Sequence, residues 1–373
     1  MIESFTYLRV KTAHYPVRNQ DNIIRFSKCV FGIAKEVRDD DQKLWHLMKL
    51  TDGTRKVFDI EIEMLKLFPE LDKSAVRDTL IKLYKNGLIE EVIDPRLQKL
   101  SAHELDRYSR NLQFFSLISD DKRNALDYMY KLKNSTVAIA GMGGIGTSAA
   151  ASFASMGIGK IYCIDFDKVE YSNLTRQILY NEDDVGKSKV KAAINNLKKI
   201  NNGVEVEGVE LQIKTTEDIE KIMKKCNIFI NGIDFPIDIA LRINEAALLS
   251  GTAWINTGYD GPRFGISTFI PFKTPCYKFL QHYSESKRIQ RNIITEEYLY
   301  KGDEVIEPII SPVSNMAGHL AAFEGLLFLL DIPSNTAGKL YLTNLFDITK
   351  NTIEKIPIWN ECPSCGGLDK YKN

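Results

Sequence analysis

A short β-strand pattern runs directly into a glycine-rich turn near the middle of the chain. Thr136–Ala140 consists of small and β-branched residues, and the motif GMGGIG follows it, before an apolar helical segment. In such a motif the first glycine permits a sharp turn, the second lets the backbone approach a phosphate, and the last lets the helix pack on the sheet. The free N–H groups of the helix then face an anion. We therefore expect an α/β, Rossmann-like nucleotide cradle with Gly141, Gly143, Gly144 and Gly146 in it.

Polar residues after the next strand indicate which nucleotide is bound. That strand pattern ends in Asp165-Phe-Asp167, where a carboxylate usually meets ribose hydroxyls, and Asn173, Arg176 and Lys189 follow. Arginine and lysine at such positions suit a triphosphate, which needs more positive charge than a dinucleotide pyrophosphate. The set favours ATP over NAD, although a GxGxxG loop alone is equally typical of oxidoreductases.

A further carboxylate, Asp234, ends the strand-like run 227–234. A carboxylate that faces phosphates normally implies Mg²⁺, so Asp234 is a candidate magnesium ligand. Arg176 or Lys189 alone would more often be a solvated helix residue. Together with Asp234, in this order, they favour a nucleotide site.

The ordered motifs resemble the ThiF/MoeB/ubiquitin-activating-enzyme superfamily, whose members adenylate carboxylates. The matching segments are RYSRN at 107–111, GMGGIG at 141–146, DFD at 165–167, SNLTRQ at 172–177, VGKSK at 185–189, Asp234 and CPSC at 362–365. Within the superfamily the chain is similar to peptide-modifying members of the MccB (microcin C) and PaaA (pantocin A) kinds. This resemblance implies ATP-dependent activation of a carboxylate on a ribosomally made precursor peptide, with ATP and Mg²⁺ as cofactors.

The resemblance also assigns roles to residues. It gives Asp165 to the ribose, Asp234 to Mg²⁺, and the intervening amide and cationic side chains to the phosphates. Arg110, in the RYSRN segment, would reach the γ-phosphate from the partner subunit, which implies a homodimer. Two outcomes stay open: a Glu side chain is activated for dehydration and cyclisation, as in PaaA, or a C-terminal Asn is adenylylated, as in MccB.

Residues 1–95 are predicted to form a separate small domain. Three helical patterns, at 42–50, 60–68 and 73–86, precede a strand-like run at 88–93, an order typical of winged helices, which often bind DNA. Basic and acidic residues are equal in number here, so the electrostatic footprint of a nucleic-acid binder is missing. The resemblance implies that this module recognises the leader of a precursor peptide by adding it to a sheet edge. A structural cap or dimerisation arm is the alternative.

The remaining chain is predicted as a helical connector, 96–134, which carries the arginine motif, and an adenylation domain, 135–373. The charged segment 284–307 matches the superfamily's crossover loop, with a disordered surface loop as the alternative. Formal net charge is zero and 44% of the residues are hydrophobic, which suits a soluble enzyme. No signal-peptide pattern opens the chain, so we expect a cytoplasmic protein with no nucleic-acid or membrane partner.

Three cysteines raise the question of zinc. Cys362-Pro-Ser-Cys365 is half of a zinc knuckle, which the superfamily pairs with an earlier Cys-x-x-Cys. Here that earlier segment has Cys276 but Phe279 at the second position, so three thiolates are left. His282 is available as a fourth ligand; alternatively, the site has lost zinc.

Other function classes make different demands on the sequence. A sulfur-carrier adenylyltransferase of the MoeB or ThiF kind would act on a Gly-Gly tail and would not need residues 1–95. An NAD oxidoreductase would not need Arg176, Lys189 and Asp234. A winged-helix regulator would need a basic face, which residues 1–95 lack.

Overall fold

The structure is a computed structural model, and it describes residues 3–4, 6–14, 16–26, 35–92, 98–290, 308–359 and 361–366. Of residues 288–290 it describes the backbone only. The chain divides into two compact units, Met1–Tyr130 and Lys131–Asn373. None of the described helices combines the length and the apolar character that a membrane span needs. The finer division at residues 95 and 134 stays a prediction.

The first unit contains two small sheets. Its described strands are β1 (Tyr7–Val10), β2 (Val17–Arg18), β3 (Ile23–Phe26), β4 (Lys35–Arg38), β5 (Asp52–Lys56) and β6 (Ile89–Glu91). They form two antiparallel sheets with the orders β5-β1-β6 and β2-β3-β4. In the described residues β4 is thus an edge strand that pairs only with β3.

Three helices pack on these strands. They are α1 (Lys43–Leu50), α2 (Val57–Leu67) and α3 (Lys73–Lys85), close to the predicted ranges. Asp72 caps α3 by accepting a hydrogen bond from the Ala75 backbone N–H at 2.8 Å. The helices bury one apolar face each against the strands, in a core that includes Leu8, Ile24, Leu47, Ile60, Met64, Val76 and Leu80.

The predicted connector is helical. It contains α4 (Ala102–Arg107), α5 (Ser109–Ile118) and α6 (Ala125–Lys133). Ser101 and Glu104 cap the start of α4 reciprocally: the Ser101 N–H donates to Glu104 Oε2 at 2.8 Å, and the Glu104 N–H donates to Ser101 Oγ at 3.2 Å. Tyr108, which separates α4 from α5, is 3% exposed. Helix α5 therefore starts from a buried residue.

The second unit is built on one eight-stranded sheet. Its strands are β7 (Thr136–Ala140), β8 (Lys160–Asp165), β9 (Glu205–Glu210), β10 (Ile228–Asn231), β11 (Ala253–Asp260), β12 (Arg263–Phe269), β13 (Lys339–Asn344) and β14 (Thr352–Lys355). Its described helices are α7 (Gly144–Met156), α8 (Lys189–Ile200), α9 (Thr216–Met223), α10 (Ile239–Ser250), α11 (Tyr277–Gln290) and α12 (Ser311–Leu329).

The sheet has the order β14-β13-β12-β11-β10-β7-β8-β9. Strands β11, β10, β7, β8 and β9 run parallel, and the other three strands continue the sheet in antiparallel fashion. The chain proceeds from β7 to β8 and β9 on one side, and then returns to β10 and β11 on the other. This reversal leaves a crevice at the carboxyl ends of β7 and β10, the usual ligand position in such sheets. The predicted α/β, Rossmann-like fold is confirmed.

One predicted boundary is wrong. Residues 284–290 are the end of α11 and not the start of a crossover loop. Tyr283 Oη and Lys287 Nζ both donate a hydrogen bond to a carboxylate oxygen of Glu354 on β14. These two hydrogen bonds stabilise the last turns of α11. The rest of the predicted loop, 291–307, lies outside the described residues.

Candidate active site

A cleft of about 550 Å³ opens at the carboxyl ends of the parallel strands of the second unit. Segments that follow β7, β8, β9 and β10 form its walls. Eight of the sequence-predicted site residues line it: Gly141, Gly143, Gly144, Asp165, Asp167, Arg176, Lys189 and Asp234. The structure therefore brings together most of the residues that the motifs singled out.

The backbone geometry of the glycine-rich loop requires glycine at two positions. Gly141 has a φ of 85°, and a Cβ there would lie 2.4 Å from the Gly232 carbonyl oxygen. Gly146 does not line the cleft; a Cβ at this position would lie 1.8 Å from the Gly141 carbonyl oxygen, so this glycine permits the helix to pack on the loop. Gly143 is the N-cap of α7. The first N–H groups of α7 have no intrahelical acceptor and lie at the cleft, as an anion site needs.

Two aspartates and a lysine form the wall after β8. Asp165 is buried, and its carboxylate accepts hydrogen bonds from the Met142 N–H at 2.7 Å and the Asp167 N–H at 2.8 Å. These bonds fix the carboxylate against the glycine loop and leave lone pairs for a ligand. Lys189 Nζ pairs with Asp167 Oδ2 at 3.0 Å, and the lysine is 7% exposed. The ammonium is thus held in place at the cleft before any ligand arrives.

Arg176 and Gln177 carry buried polar atoms that lack partners. The Arg176 Nη1 group donates to the Ser172 carbonyl oxygen at 3.1 Å. Within the described part of the chain, Arg176 Nε and Gln177 Oε1 are buried and make no hydrogen bond. Since leaving buried polar atoms unpaired is unfavourable, this wall fits a polar ligand that would supply the missing partners. Gln177 was not among the predicted site residues, although it ends the SNLTRQ motif.

Asn173 is not among the residues that line the cleft. It is buried, its Oδ1 accepts from the Glu170 N–H at 3.2 Å, and its carbonyl oxygen accepts from the Arg176 and Gln177 N–H groups at 3.0 and 2.9 Å. These bonds shape the turn that presents Arg176 and Gln177. A direct phosphate contact of Asn173 stays a prediction.

Two cationic residues that sequence reasoning missed, Lys214 and Arg242, also line the cleft. The predicted Asp234 lies on the same lining, exposed and just after β10. Lys214 follows β9, and Arg242 lies on α10, where it donates to Asp238 Oδ2 at 2.9 Å and to the Lys214 carbonyl oxygen. No motif marks Lys214 or Arg242; only the rule that ligands bind where parallel strands end would have indicated this region.

Three cysteines cluster away from the cleft. The Sγ atoms of Cys276, Cys362 and Cys365 all lie within 4.8 Å of one another, and all three residues are buried. Burial, together with the neighbouring thiols, raises the pKa of Cys276. A divalent metal would offset the charge of adjacent thiolates, and three sulfur ligands are three of the four that zinc usually takes. Phe279, at the position where the superfamily has a fourth cysteine, is 1% exposed.

His282 does not join this cluster among the described residues, so the fourth-ligand expectation is corrected. Its ring stacks on Trp359, with 4.2 Å between ring centroids and 15° between the planes. The imidazole is therefore engaged by an aromatic face and not by the three thiols. Two further cysteines, Cys163 and Cys226, are separate from the cluster, and burial raises the pKa of each thiol to about 12. Such thiols stay protonated and unreactive.

Comparisons with known proteins support the resemblance that the motifs indicate. A sulfur carrier protein ThiS adenylyltransferase of Bacillus subtilis is 36% identical over 149 residues, which are 39% of this chain and 44% of that protein. The ThiS adenylyltransferase of Escherichia coli is 29% identical over 275 residues, which are 72% of this chain and 98% of that protein.

Solved structures share the fold at lower sequence identity. E. coli MccB with ATP has a TM-score of 0.75 and 22% identity, covering 96% of this chain and 99% of that chain. PaaA has a TM-score of 0.71 and 22% identity, covering 93% and 99%. Both kinds of protein named by the resemblance are thus structural neighbours. The sequence matches the ThiF family over residues 108–366, more than half of its length, and the chain therefore belongs to the ThiF family.

Proposed function

We propose that this protein is an ATP-dependent adenylating enzyme that activates a carboxylate of a ribosomally made precursor peptide. The observation that carries this proposal is a sheet edge that no described strand covers, beside a groove in the first unit of a ThiF-family chain. The ThiF-family match begins at residue 108, so most of the first unit, Met1–Tyr130, lies outside the part that the chain shares with the family. E. coli MccB, a structural neighbour, has been solved with MccA.

The groove fits an extended peptide. All four residues of β4 are exposed, and β3 occupies only one of its edges in the described chain. A groove of about 260 Å³ adjoins it, lined by Val37 on β4 and by Ala75, Val76 and Thr79 on α3. A peptide that adds to β4 as a strand would direct alternate side chains into this groove, so that backbone bonds give affinity and the groove gives specificity.

The cleft supplies the charges that adenylation needs. In the proposed reaction a carboxylate oxygen of the peptide attacks the α-phosphate of ATP, the bond to the β-phosphate breaks, and pyrophosphate leaves. The protein's part is to position the groups and neutralise developing charge. We assign Asp165 to the ribose, Arg176 and Lys189 to the phosphates, and Asp234 to Mg²⁺. Arg110 would come from the partner subunit of a homodimer.

The proposal covers two kinds of activated group. The activated group is either a Glu side chain, leading to dehydration and cyclisation, or a C-terminal Asn that becomes adenylylated.

The three-cysteine cluster would hold zinc away from the cleft. The metal would then stabilise the fold and take no part in the reaction. Cys276, Cys362 and Cys365 would then supply three of its ligands.

A second candidate function is adenylation of a sulfur carrier protein. The names of the curated relatives favour it. Such an enzyme would activate the C-terminal Gly-Gly of a small folded protein, and the groove beside β4 would have no task in that reaction. Pyrophosphate release with a carrier protein, but with no peptide, would select this alternative.

We expect ATP with Mg²⁺ to bind in the cleft and NAD not to bind. Arg176 and Lys189 supply two positive charges on the cleft lining for the phosphates, and Asp234 supplies a carboxylate for the metal. Titration calorimetry with each nucleotide measures both affinities. Binding of NAD without binding of ATP would contradict the assignment of the cleft.

We expect Thr79→Arg to weaken peptide binding by at least about tenfold, because an arginine on this face of α3 would fill the groove. The probe is the peptide encoded by a small open reading frame beside the gene, and its affinity is measured by fluorescence anisotropy. Asp78→Arg is the matched control, since it adds an arginine to the exposed side of the same helix outside the groove. ATP affinity should be the same in both variants. Equal peptide affinity in both would remove the groove from the proposal.

A further inference from the structure

A buried lysine holds the end of the helix that carries Arg110. Lys11, directly after β1, is 1% exposed. Its Nζ donates to the Ser119 carbonyl oxygen at 2.9 Å, to Ser119 Oγ at 2.9 Å and to the Ser116 carbonyl oxygen at 3.3 Å. An ammonium has three N–H donors, so all of them go to the last turn of α5 and the residue after it. Carbonyls at a helix C-terminus lack intrahelical donors, and a cation there also opposes the negative end of the helix dipole.

Neighbouring residues build a socket around this contact. Gly87 has a φ of 70°, and a Cβ on it would lie 2.7 Å from the Ser119 carbonyl oxygen. Thr12 Oγ1 donates to Gln113 Oε1 at 3.1 Å, one turn further back on α5. Burial lowers the pKa of Lys11, against the opposing effect of Glu90 and Asp120. An uncompensated buried charge is costly, and here three hydrogen bonds and the two nearby carboxylates compensate the ammonium.

Helix α5 is thus fixed along its length, whereas Arg110 is not. Tyr108 anchors the start of the helix and Phe115 its middle, with 3% and 2% exposure, and Lys11 holds its end. Arg110 lies in the first turn, is exposed, and makes no hydrogen bond or ion pair with the described residues. The rotation and tilt of α5 therefore set the direction in which the Cα–Cβ bond of Arg110 leaves the helix.

We propose that Lys11 is a positioning residue for Arg110. By hydrogen-bonding the last turn of α5 to the segment after β1, it fixes the orientation of the helix and thereby the direction in which Arg110 projects. The inference rests on the proposed role of Arg110 at the γ-phosphate of ATP. The first unit would then have two tasks: it would bind the peptide, and it would also orient Arg110. A lysine with a purely local structural role would have no effect on γ-phosphate recognition.

The test compares the affinities of Mg²⁺-ATP and of AMP for the full-length protein by titration calorimetry. Lys11→Met keeps the length and apolar stem of the side chain and removes its three donors. We expect it to weaken ATP binding by about tenfold, the value of one charge-assisted contact, and to leave AMP binding within about twofold. Lys66→Met is the control, because Lys66 lies exposed on α2 and pairs only with Glu63 in the described residues. Unchanged AMP affinity reports an intact cleft.

A double-mutant cycle with Arg110→Ala separates aiming from general destabilisation. If Lys11 acts through Arg110, Lys11→Met causes little further loss of ATP affinity once the arginine is absent. Additive losses, or equal losses for ATP and AMP, would overturn the proposal. Ser119→Ala, which removes one acceptor of the same ammonium, should give a smaller loss with the same dependence on Arg110, and it carries the test if Lys11→Met does not fold. Full ATP affinity in Arg110→Ala would instead refute the proposed role of the arginine, and this inference with it.

Discussion

Replacing Asp234 or Arg176 by alanine is expected to lower peptide-dependent pyrophosphate release by about 10²–10³-fold, which corresponds to about 3–4 kcal/mol of transition-state stabilisation. Both residues line the cleft. Each would meet charge that grows as pyrophosphate leaves, so its loss should reduce turnover more than nucleotide binding. The measurement is the release of pyrophosphate at saturating ATP and peptide.

The controls are two substitutions of the same residue types outside the cleft, Asp347→Ala and Arg263→Ala. Arg263 is exposed and Asp347 is partly buried, and neither lines the cleft. Asp234→Asn refines the test, since it keeps the shape of the side chain and removes the charge that a magnesium ligand needs. Turnover near the wild-type level in Asp234→Ala or Arg176→Ala, with unchanged melting temperature, would place the reaction elsewhere.

The nucleotide cradle was predictable because its requirements are local. A left-handed turn at Gly141 and the close approach of Gly146 to the loop admit no side chain, so the sequence must show glycine at those places. Asp165 and Asp234 were predictable in the same way, as carboxylates at the ends of apolar strands. Such constraints operate within a few residues of chain and are therefore visible in a sequence.

Residues that sequence reasoning missed owe their place to tertiary packing. Lys214 and Arg242 reach the cleft because β9 ends and α10 begins beside it, and neither residue lies in a motif. Asn173 is a different case: its side-chain and backbone oxygens accept hydrogen bonds within the turn that carries Arg176 and Gln177, and its phosphate contact stays a prediction. His282 was a reasonable ligand by residue type, yet its stacking on Trp359 depends on a segment that is remote in sequence.

In the first unit, sequence patterns predicted the helices but missed one strand. Helices α1, α2 and α3 follow from apolar periodicity and from the cap at Asp72. Strand β5, Asp52–Lys56, has no apolar alternation and was missed, because it forms as a partner of β1 and not by its own propensity. The open edge of β4 likewise becomes visible only when the register of the sheet is known.

Mixing Arg110→Ala subunits with Asp234→Ala subunits is expected to restore activity that neither variant has alone. If Arg110 acts on the partner's nucleotide, a mixed dimer has one site with both residues intact and one site with neither. Random exchange between closed two-fold dimers would then give about one quarter of the wild-type activity per subunit. The measurement is pyrophosphate release as a function of the mixing ratio, with maximum rescue at equal amounts.

This experiment separates two ways in which an exposed arginine on α5 can serve the reaction. An arginine that acts within its own subunit leaves every mixed site defective in one residue, so no ratio restores activity. Differently tagged subunits, recovered together after mixing, establish that exchange has occurred. Rescue would also define the catalytic unit as a dimer, and it would explain why Arg110 makes no hydrogen bond or ion pair with the described residues of its own chain. Absence of rescue despite proven exchange would assign the arginine to its own subunit, and the γ-phosphate role would then have to be tested there.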